Sequence, residues 1–147
     1  MGDGVLVLWD ASYTDEESRQ NIVIACSDIC DEYIDDFLPS VSRLVDPPPV
    51  LRCGIARGAV YSVGNGNDYV GTCINMAARL QKIAGATFAF NCRGFNLDDP
   101  DADKFFKKDI VVKTMSIRGI GQGERVALLR SEYTRMTRAE RQQFSKA

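Results

Sequence analysis

The 147-residue sequence contains no histidine and no apolar run close to the roughly 20 residues that a membrane helix needs. A zinc site would therefore have to be built from thiolates alone, and the five cysteines have irregular spacings: Cys26, Cys30, Cys53, Cys73 and Cys92. We expect these to be reduced core cysteines. The start, Met1-Gly2-Asp3, has neither the basic nor the apolar part of a signal peptide. These absences predict a soluble, cytoplasmic protein with no membrane partner.

Charge is nearly balanced overall but unevenly distributed. The net charge is -2, yet residues 1–46 hold 11 acidic and 2 basic side chains, and residues 47–147 hold 9 acidic and 16 basic ones. A nucleic-acid-binding protein is usually basic overall with interleaved aromatic residues, and because this chain has neither feature we expect no nucleic-acid partner. The basic part is either the solvated counterpart of an acidic helix or a surface that faces an anionic ligand.

The first part of the chain predicts a strand followed by a long helix. Val5–Trp9 is a short apolar run after a Gly-Asp-Gly turn, which is typical of a buried strand entered from a hairpin. A capping box at residues 14–17 then starts a helix that should end or kink near Pro39. Its apolar positions at helical spacing are Ile22, Cys26, Ile29, Tyr33 and Phe37.

The middle of the chain predicts a hairpin and a second helix. Residues 51–56 alternate like a half-buried strand, and Arg57-Gly58 should turn the chain into a second strand over residues 59–63. After a loop rich in Asn and Gly, an amphipathic helix should end at Gly85. Its apolar face is formed by Met76, Leu80, Ile83 and Ala84.

The remaining elements complete an α+β pattern. Residues 86–91 predict a strand, and residues 110–117 and 125–129 predict a closing hairpin across Gly119–Gly123. Residues 131–147 predict an exposed, charged C-terminal tail. The order of elements favours helices on one face of a mainly antiparallel sheet, for which a ferredoxin-like core is the natural candidate.

The most informative segment, Gly64–Gln81, runs from turn-forming residues into the second helix. Asn75 and Arg79 are four positions apart in it and must share one helix face, with Asp68 in the preceding loop. An amide, a guanidinium fork and a carboxylate in this arrangement suit a nucleoside triphosphate. The alternatives are a solvated helix face for the pair and an Asx turn after Asn67 for the carboxylate.

Five motifs recur in the order and spacing of a known family. They are Gly2-Asp3-Gly4 before a strand, Leu51–Gly58, Asp68–Gly71, Ile74–Leu80 and Ile117–Gly121. Together they resemble the class III adenylate/guanylate (nucleotidyl) cyclase catalytic domain across most of residues 1–130. The compact chain also resembles the stand-alone prokaryotic pyrimidine cyclases of that class.

This resemblance implies metal-dependent conversion of a nucleoside triphosphate to a 3′,5′-cyclic nucleotide and pyrophosphate, in sites between two antiparallel protomers of a homodimer. It implies that Asn75 orients the ribose and that Arg79 stabilises charge on the transferring phosphate. Asp68 would accept a hydrogen bond from the base amino group, and Asp3 would bind one of two Mg²⁺ or Mn²⁺ ions. Adenine and cytosine both carry such an amine, so the base stays open: cyclic AMP, or cyclic CMP or UMP in antiviral defence.

The sequence departs from the family at two places. The central strand with the first metal-binding aspartate is missing, so the chain resembles an N-terminally truncated domain, and we expect residues 1–147 alone to be inactive or very slow. That loss should also leave Val5–Trp9 without a strand partner. Ile120 stands where many animal relatives have a phosphate-binding lysine, and the candidate substitutes are Lys82, Arg118 and Arg57.

Two other functions compete with a cyclase. One is a catalytically degenerate cyclase-homology domain that acts as a nucleotide-binding or dimerisation module, which the missing aspartate favours. The other is a palm-type nucleotidyltransferase or diguanylate cyclase. It is disfavoured because the turn has no second acid beside Asp3 and because Asn75 and Arg79 would have no role.

Overall fold

A computed structural model describes residues 4–12, 14–44 and 46–145. None of the helices in these ranges is long and apolar enough to span a bilayer. The helices are α1 (Glu16–Glu32), α2 (Leu38–Val41), α3 (Thr72–Leu80), α4 (Arg130–Arg135) and α5 (Arg138–Arg141), with π-helical turns at Tyr33–Phe37 and Phe105–Asp109. The strands are β1 (Cys53–Ile55), β2 (Tyr61–Val63), β3 (Asp68–Val70), β4 (Phe88–Asn91), β5 (Ile110–Ile117) and β6 (Gly121–Leu129).

The main sheet is mixed and has four strands in the order β1-β4-β6-β5. β1 pairs parallel to β4, whereas β6 pairs antiparallel to both β4 and β5. The predicted α+β class is confirmed, and so is the closing hairpin, in which Ile110 pairs with Leu129 at the open end. β6 begins at Gly121, four residues earlier than the sequence predicts.

Helices cover both faces of this sheet, so the prediction of helices on one face only is wrong. In β4, Phe90 packs in a cluster with Val23 of α1, while its neighbour Ala89 packs in a second cluster with Leu80 of α3. Successive strand residues point to opposite faces. α1 and α3 therefore lie on opposite sides of a strand that is buried throughout.

The first helical run ends near Pro39, as predicted: a π-helical turn precedes the proline and α2 stops at Val41, two residues beyond it. Asp15 caps α1 by accepting a hydrogen bond from the Ser18 amide at 2.8 Å. A π-helical turn follows, and α2 then carries Pro39 in its first turn. Proline lacks an amide hydrogen and clashes with the carbonyl four residues back, and the wider π-helical turn just before it is the kind of local adjustment that accommodates this.

The buried face of this helix differs from prediction. Ile29 and Phe37 are each 52% exposed. The fully buried positions of α1 are instead Gln20, Val23, Ser27 and Cys30. They have the same helical spacing as the predicted stripe but include two polar residues, so apolar periodicity placed the centre of the buried face one position away. Of the predicted positions, Cys26 still packs against the core as a half-buried residue.

The predicted hairpin between residues 51–56 and 59–63 does not form. β1 joins the main sheet beside β4, and β2 pairs with β3 in a separate two-stranded hairpin. The turn of that hairpin contains Gly64 and Gly66, both with positive φ (62° and 81°). Asn and Gly residues favour these left-handed conformations, so the loop after β2 makes the turn that the sequence assigned to Arg57-Gly58.

Val5–Trp9 forms no strand, contrary to prediction. Its apolar side chains are exposed, from 84% for Val5 to 41% for Leu8. The sheet in the described part of the chain offers it no hydrogen-bonded neighbour, and an isolated strand is not stable in water. The Gly-Asp-Gly turn expected before it cannot be compared, since residues 1–3 lie outside the described ranges.

The C-terminal segment is part of the core, so the expected exposed tail is wrong. Met136 and Phe144 are each only 7% exposed and pack in the same cluster as α3. The Gln143 side chain donates to the Ala84 carbonyl at 2.9 Å and accepts from the Ala84 amide at 3.1 Å. The Ser145 amide donates to the Thr114 carbonyl at 2.7 Å. The segment therefore ties the end of α3 to the edge of the sheet.

Candidate functional site

The exposed face of α3 carries the two residues that the sequence singles out. Met76 and Leu80 are buried against the sheet at 4% and 2% exposure, whereas Asn75 and Arg79 are exposed. They lie one turn apart on the side away from the core. Neither side chain points into the packed interior. A ligand-binding role requires this accessibility.

α3 is shorter than predicted, and its end is formed by turns. The helix stops at Leu80, and the amides of Lys82 and Ile83 then donate to the carbonyls of Arg79 and Leu80 at 3.0 and 3.3 Å. Gly85 follows with φ of 82°. Lys82 and Ile83 therefore belong to a turn rather than to the helix, and the chain changes direction next to Arg79.

The backbone of α3 packs very closely against β1. A Cβ atom on Gly54 would lie 2.2 Å from the Ala77 carbonyl oxygen. At the other end, a Cβ on Gly71 would lie 2.5 Å from the Ala59 carbonyl oxygen. Arg52 donates from Nη1 to the Gln81 carbonyl at 3.2 Å. The backbone around the Leu51–Gly58 motif thus fixes where α3, and so its exposed face, can lie.

Asp68 begins β3, opposite Val63, and is exposed. Within the described ranges its carboxylate accepts no hydrogen bond, so the Asx-turn alternative is not formed there. It lies three residues before Gly71, which precedes the first turn of α3. The carboxylate is therefore free to accept a ligand hydrogen bond near the start of the helix.

A basic cleft opens between the end of α3 and the β5–β6 hairpin. It has a volume of about 160 Å³, and its charged lining residues are Arg79, Lys82 and Arg118. Apolar side chains from the two flanking segments, Ile83 and Met115 among them, form the rest of the wall, and no carboxylate lines it. Of the two α3 residues, only Arg79 borders this cleft; neither Asn75 nor Asp68 does.

Of the three candidate substitutes for the missing phosphate-binding lysine, two line this cleft and one does not. Lys82 and Arg118 line it together with Arg79, whereas the Arg57 guanidinium donates to the carbonyl of Gly94 elsewhere. Ile120 packs against the core cluster of α3. The two candidates that share a cleft with Arg79 therefore come from the turn after α3 and from the hairpin.

A buried polar network under α3 was not anticipated from the sequence. Glu124 and Asn91 are 3% and 2% exposed, and the Asn91 amide donates to Glu124 Oε2 at 3.1 Å and approaches the Met76 sulfur at 3.7 Å. The Arg93 guanidinium pairs with the other oxygen of Glu124. Each buried polar atom has a partner, so the network holds the floor beneath α3 in one arrangement. The only sequence signal was a polar residue at an inward position of each strand.

The five cysteines are free, and Cys30 and Cys92 are buried as predicted. Burial raises the pKa of Cys92 to about 11, and hydrogen bonding with Cys53, followed by burial, raises the pKa of Cys26. The Cys26 and Cys92 thiols therefore stay protonated near neutral pH, which makes them poor nucleophiles and poor metal ligands. Cys26, Cys30, Cys53 and Cys92 lie in or against the core, whereas Cys73 belongs to neither core cluster.

Metal binding finds no support in residues 4–12, 14–44 and 46–145. No group of three or more His, Cys, Asp or Glu side chains in these ranges is placed to hold an ion. Asp3, the ligand implied by the resemblance, lies outside them. We therefore assign no described residue to a metal ion.

No family model, curated protein or solved structure matches the chain. Its function has to be inferred from the motifs, from the exposed face of α3 and from the basic cleft.

Proposed function

We propose that this chain is a class III nucleotide cyclase domain, which converts a nucleoside triphosphate into a 3′,5′-cyclic nucleotide and pyrophosphate. The observation that carries the proposal is the exposure of Asn75 and Arg79 on one face of α3. An amide and a guanidinium fixed one turn apart can bind a sugar hydroxyl and a phosphate of the same ligand. The motifs around them supply the reaction type.

Each residue then has one role in binding and orientation. Asn75 has an amide that can donate and accept, and it holds the ribose so that its 3′-hydroxyl faces the first phosphate. Arg79 presents its planar donors to the phosphate on which charge develops. Loss of one such preorganised donor typically costs roughly 3–4 kcal/mol of barrier, or about 10²–10³ in rate.

The proposal includes a ferredoxin-like cyclase core. One observation supports it: α3 packs on β1 and β4 within an α+β sheet.

We also propose a homodimer with sites at its interface. Both faces of the β2–β3 hairpin are exposed, and it carries four large apolar side chains at 40% exposure or more: Tyr61, Val63, Tyr69 and Val70. An apolar surface of this kind marks an interaction site. A partner copy that covers the hairpin would bury the surroundings of Asp68, which lies in β3 and would contact the base.

The proposed reaction needs Mg²⁺ or Mn²⁺, with Asp3 as the expected ligand of one of the two ions. Bound ions would neutralise phosphate charge. The described residues do not form such a site, so we derive no step through the metal. We place the protein in the cytoplasm, where cysteines usually stay reduced, because its five cysteines are free.

A second candidate is a cyclase-homology module that binds nucleotide without turnover. The exposed face of α3 and the basic cleft would serve binding equally well in such a module.

Titration of the chain with each of the four nucleoside triphosphates and Mn²⁺, followed by mass spectrometry of the products, tests both candidates. A cyclase binds a triphosphate and slowly forms the matching cyclic nucleotide, and Asn75→Ala and Arg79→Ala abolish that product. Gln81→Ala, which removes an exposed side chain at the end of the same helix, is the control and keeps activity. Triphosphate binding without any product identifies the module if a version extended upstream by the first metal-binding strand also yields none. The absence of triphosphate binding overturns both candidates.

A further inference from the structure

Three of the five cysteines meet where α1 packs on β1. Cys26 and Cys30 lie one helical turn apart on α1, and Cys53 is the first residue of β1. Cys30 is buried in the core cluster on this face of the sheet, and Cys26 and Cys53 pack against the same cluster as half-buried residues. The helix and the strand are far apart in sequence, so it is folding that brings the three thiols together.

The thiols form a chain of hydrogen bonds that runs in one direction. Hydrogen bonding with Cys53 raises the pKa of Cys26, which is the effect on a donor. Hydrogen bonding with Cys53 lowers the pKa of Cys30, which is the effect on an acceptor. Cys26 therefore donates to Cys53, and Cys53 donates to Cys30. The sulfur at the end of this chain, that of Cys30, is the one best prepared to carry negative charge.

The chemistry open to such a cluster is thiol–disulfide exchange. Within the described ranges no three side chains of the types that bind metals are placed to hold an ion, so the cluster is not a metal site. Cys30 is only 1% exposed, whereas Cys53 is half-buried and interacts with both other thiols. A reagent from solvent therefore reaches Cys53 first, and Cys30 is placed to react with it afterwards.

We propose that Cys53 and Cys30 form a reversible redox site, in which a small disulfide such as oxidised glutathione converts the two thiols into a disulfide between α1 and β1. The Cys53 sulfur attacks the small disulfide, whose S–S bond breaks and releases one glutathione thiolate. The Cys30 sulfur then attacks the Cys53 sulfur, breaks the mixed disulfide and releases the second glutathione thiolate. The two cysteine protons end on these two thiolates, so the chain is oxidised and the small disulfide is reduced.

The site is reversible because the same exchange runs backwards in excess reduced glutathione. Cytosolic disulfides, where they occur, are usually transient and often sense the redox state, which is the behaviour proposed here. The pair also lies next to Gly54, where the backbone of α3 packs most closely on β1. No step involves a nucleotide, so the redox site stands or falls independently of the proposed function.

Incubation of the complete folded chain with oxidised glutathione tests the site, followed by alkylation of the remaining thiols and mass spectrometry of proteolytic peptides. We expect a cross-linked pair of peptides that contain Cys30 and Cys53, and its loss in excess reduced glutathione. The cross-link should be absent in Cys53→Ala and in Cys30→Ala. Cys73→Ala is the matched control and keeps the cross-link, since Cys73 belongs to neither core cluster. Circular dichroism of every variant checks that the fold is retained.

The peptide map of the unaltered chain decides the matter even if an alanine variant does not fold. A chain that keeps five alkylated thiols, or that carries glutathione adducts without a cross-link, overturns the proposal. A cross-link of Cys53 to Cys26 or to Cys92 in place of Cys30 overturns the assignment of the pair. A Cys30–Cys53 cross-link that reduced glutathione does not remove overturns its reversibility.

Discussion

Gly54→Ala is the sharpest test of how α3 is positioned, because it adds a single methyl group at the point where helix and strand are closest. The new Cβ would lie 2.2 Å from the Ala77 carbonyl oxygen, 3.0 Å from Leu80 Cβ and 3.1 Å from the Gln81 amide nitrogen. Two of these three atoms belong to the backbone, so no rotation of a side chain relieves the contact.

The size of the effect follows from this geometry. Cβ contacts below 3.0 Å are essentially never found, so α3 must move away from β1 by at least about 0.8 Å. Overpacking of this kind costs roughly 1–3 kcal/mol of stability. Asn75 and Arg79 move with the helix, and a misplacement of about 1 Å can cost about 10²-fold in catalysis.

Urea unfolding and triphosphate binding measure the two consequences. Gly54→Ala should lower the free energy of unfolding by the amount stated and weaken triphosphate binding, while the chain still folds. Gly4→Ala is the matched control for the unfolding measurement, since a Cβ there meets no atom within 4 Å. Unchanged stability together with unchanged binding in Gly54→Ala would refute the close seat of α3 on β1.

Three further predictions concern the core. Glu124→Ala leaves the buried Asn91 amide without its acceptor and should lower the free energy of unfolding by about 1–3 kcal/mol in urea melts; no change would contradict a structural role for this network. Phe144→Ala should cost about 3–5 kcal/mol by the same measurement, whereas an exposed tail would show almost no loss. The pKa of Cys92 is raised from 9.0 to about 11 by burial, so its stabilising contribution is complete below pH 9 and is lost as the pH rises towards 11. The free energy of unfolding of Cys92→Ala should fall less steeply between pH 9 and pH 11 than that of the unaltered chain. Equal slopes for the two proteins would contradict the raised pKa of Cys92.

Sequence reasoning succeeded where neighbours in sequence are neighbours in space. The β5–β6 hairpin follows from two alternating strands joined by a glycine-rich turn, and the exposed face of α3 follows from helical spacing. It failed where the partner is remote. β1 pairs with β4, more than thirty residues away, and nothing local to β1 distinguishes that parallel pairing from a hairpin with β2.

The candidate site was likewise predicted where it depends on local spacing and missed where it depends on remote contacts. Asn75, Arg79 and Asp68 were found from local spacing, and all three are exposed. The meeting of Lys82 and Arg118 beside Arg79 could not be predicted, because it depends on the hairpin folding over the end of α3. The sequence did not reveal that the C-terminal segment packs in the core, because its buried residues Met136 and Phe144 lie among many charged residues.

The most direct test of ligand binding at α3 is a nuclear magnetic resonance titration of the chain with a non-hydrolysable triphosphate analogue. We predict that the largest shifts occur at Asn75 and Arg79, with Lys82 and Arg118 following, and that Asn75→Ala weakens the titration. The largest shifts on the opposite face of the sheet, for example at Ile29 of α1, would contradict ligand binding at α3, as would the absence of any shift at millimolar analogue.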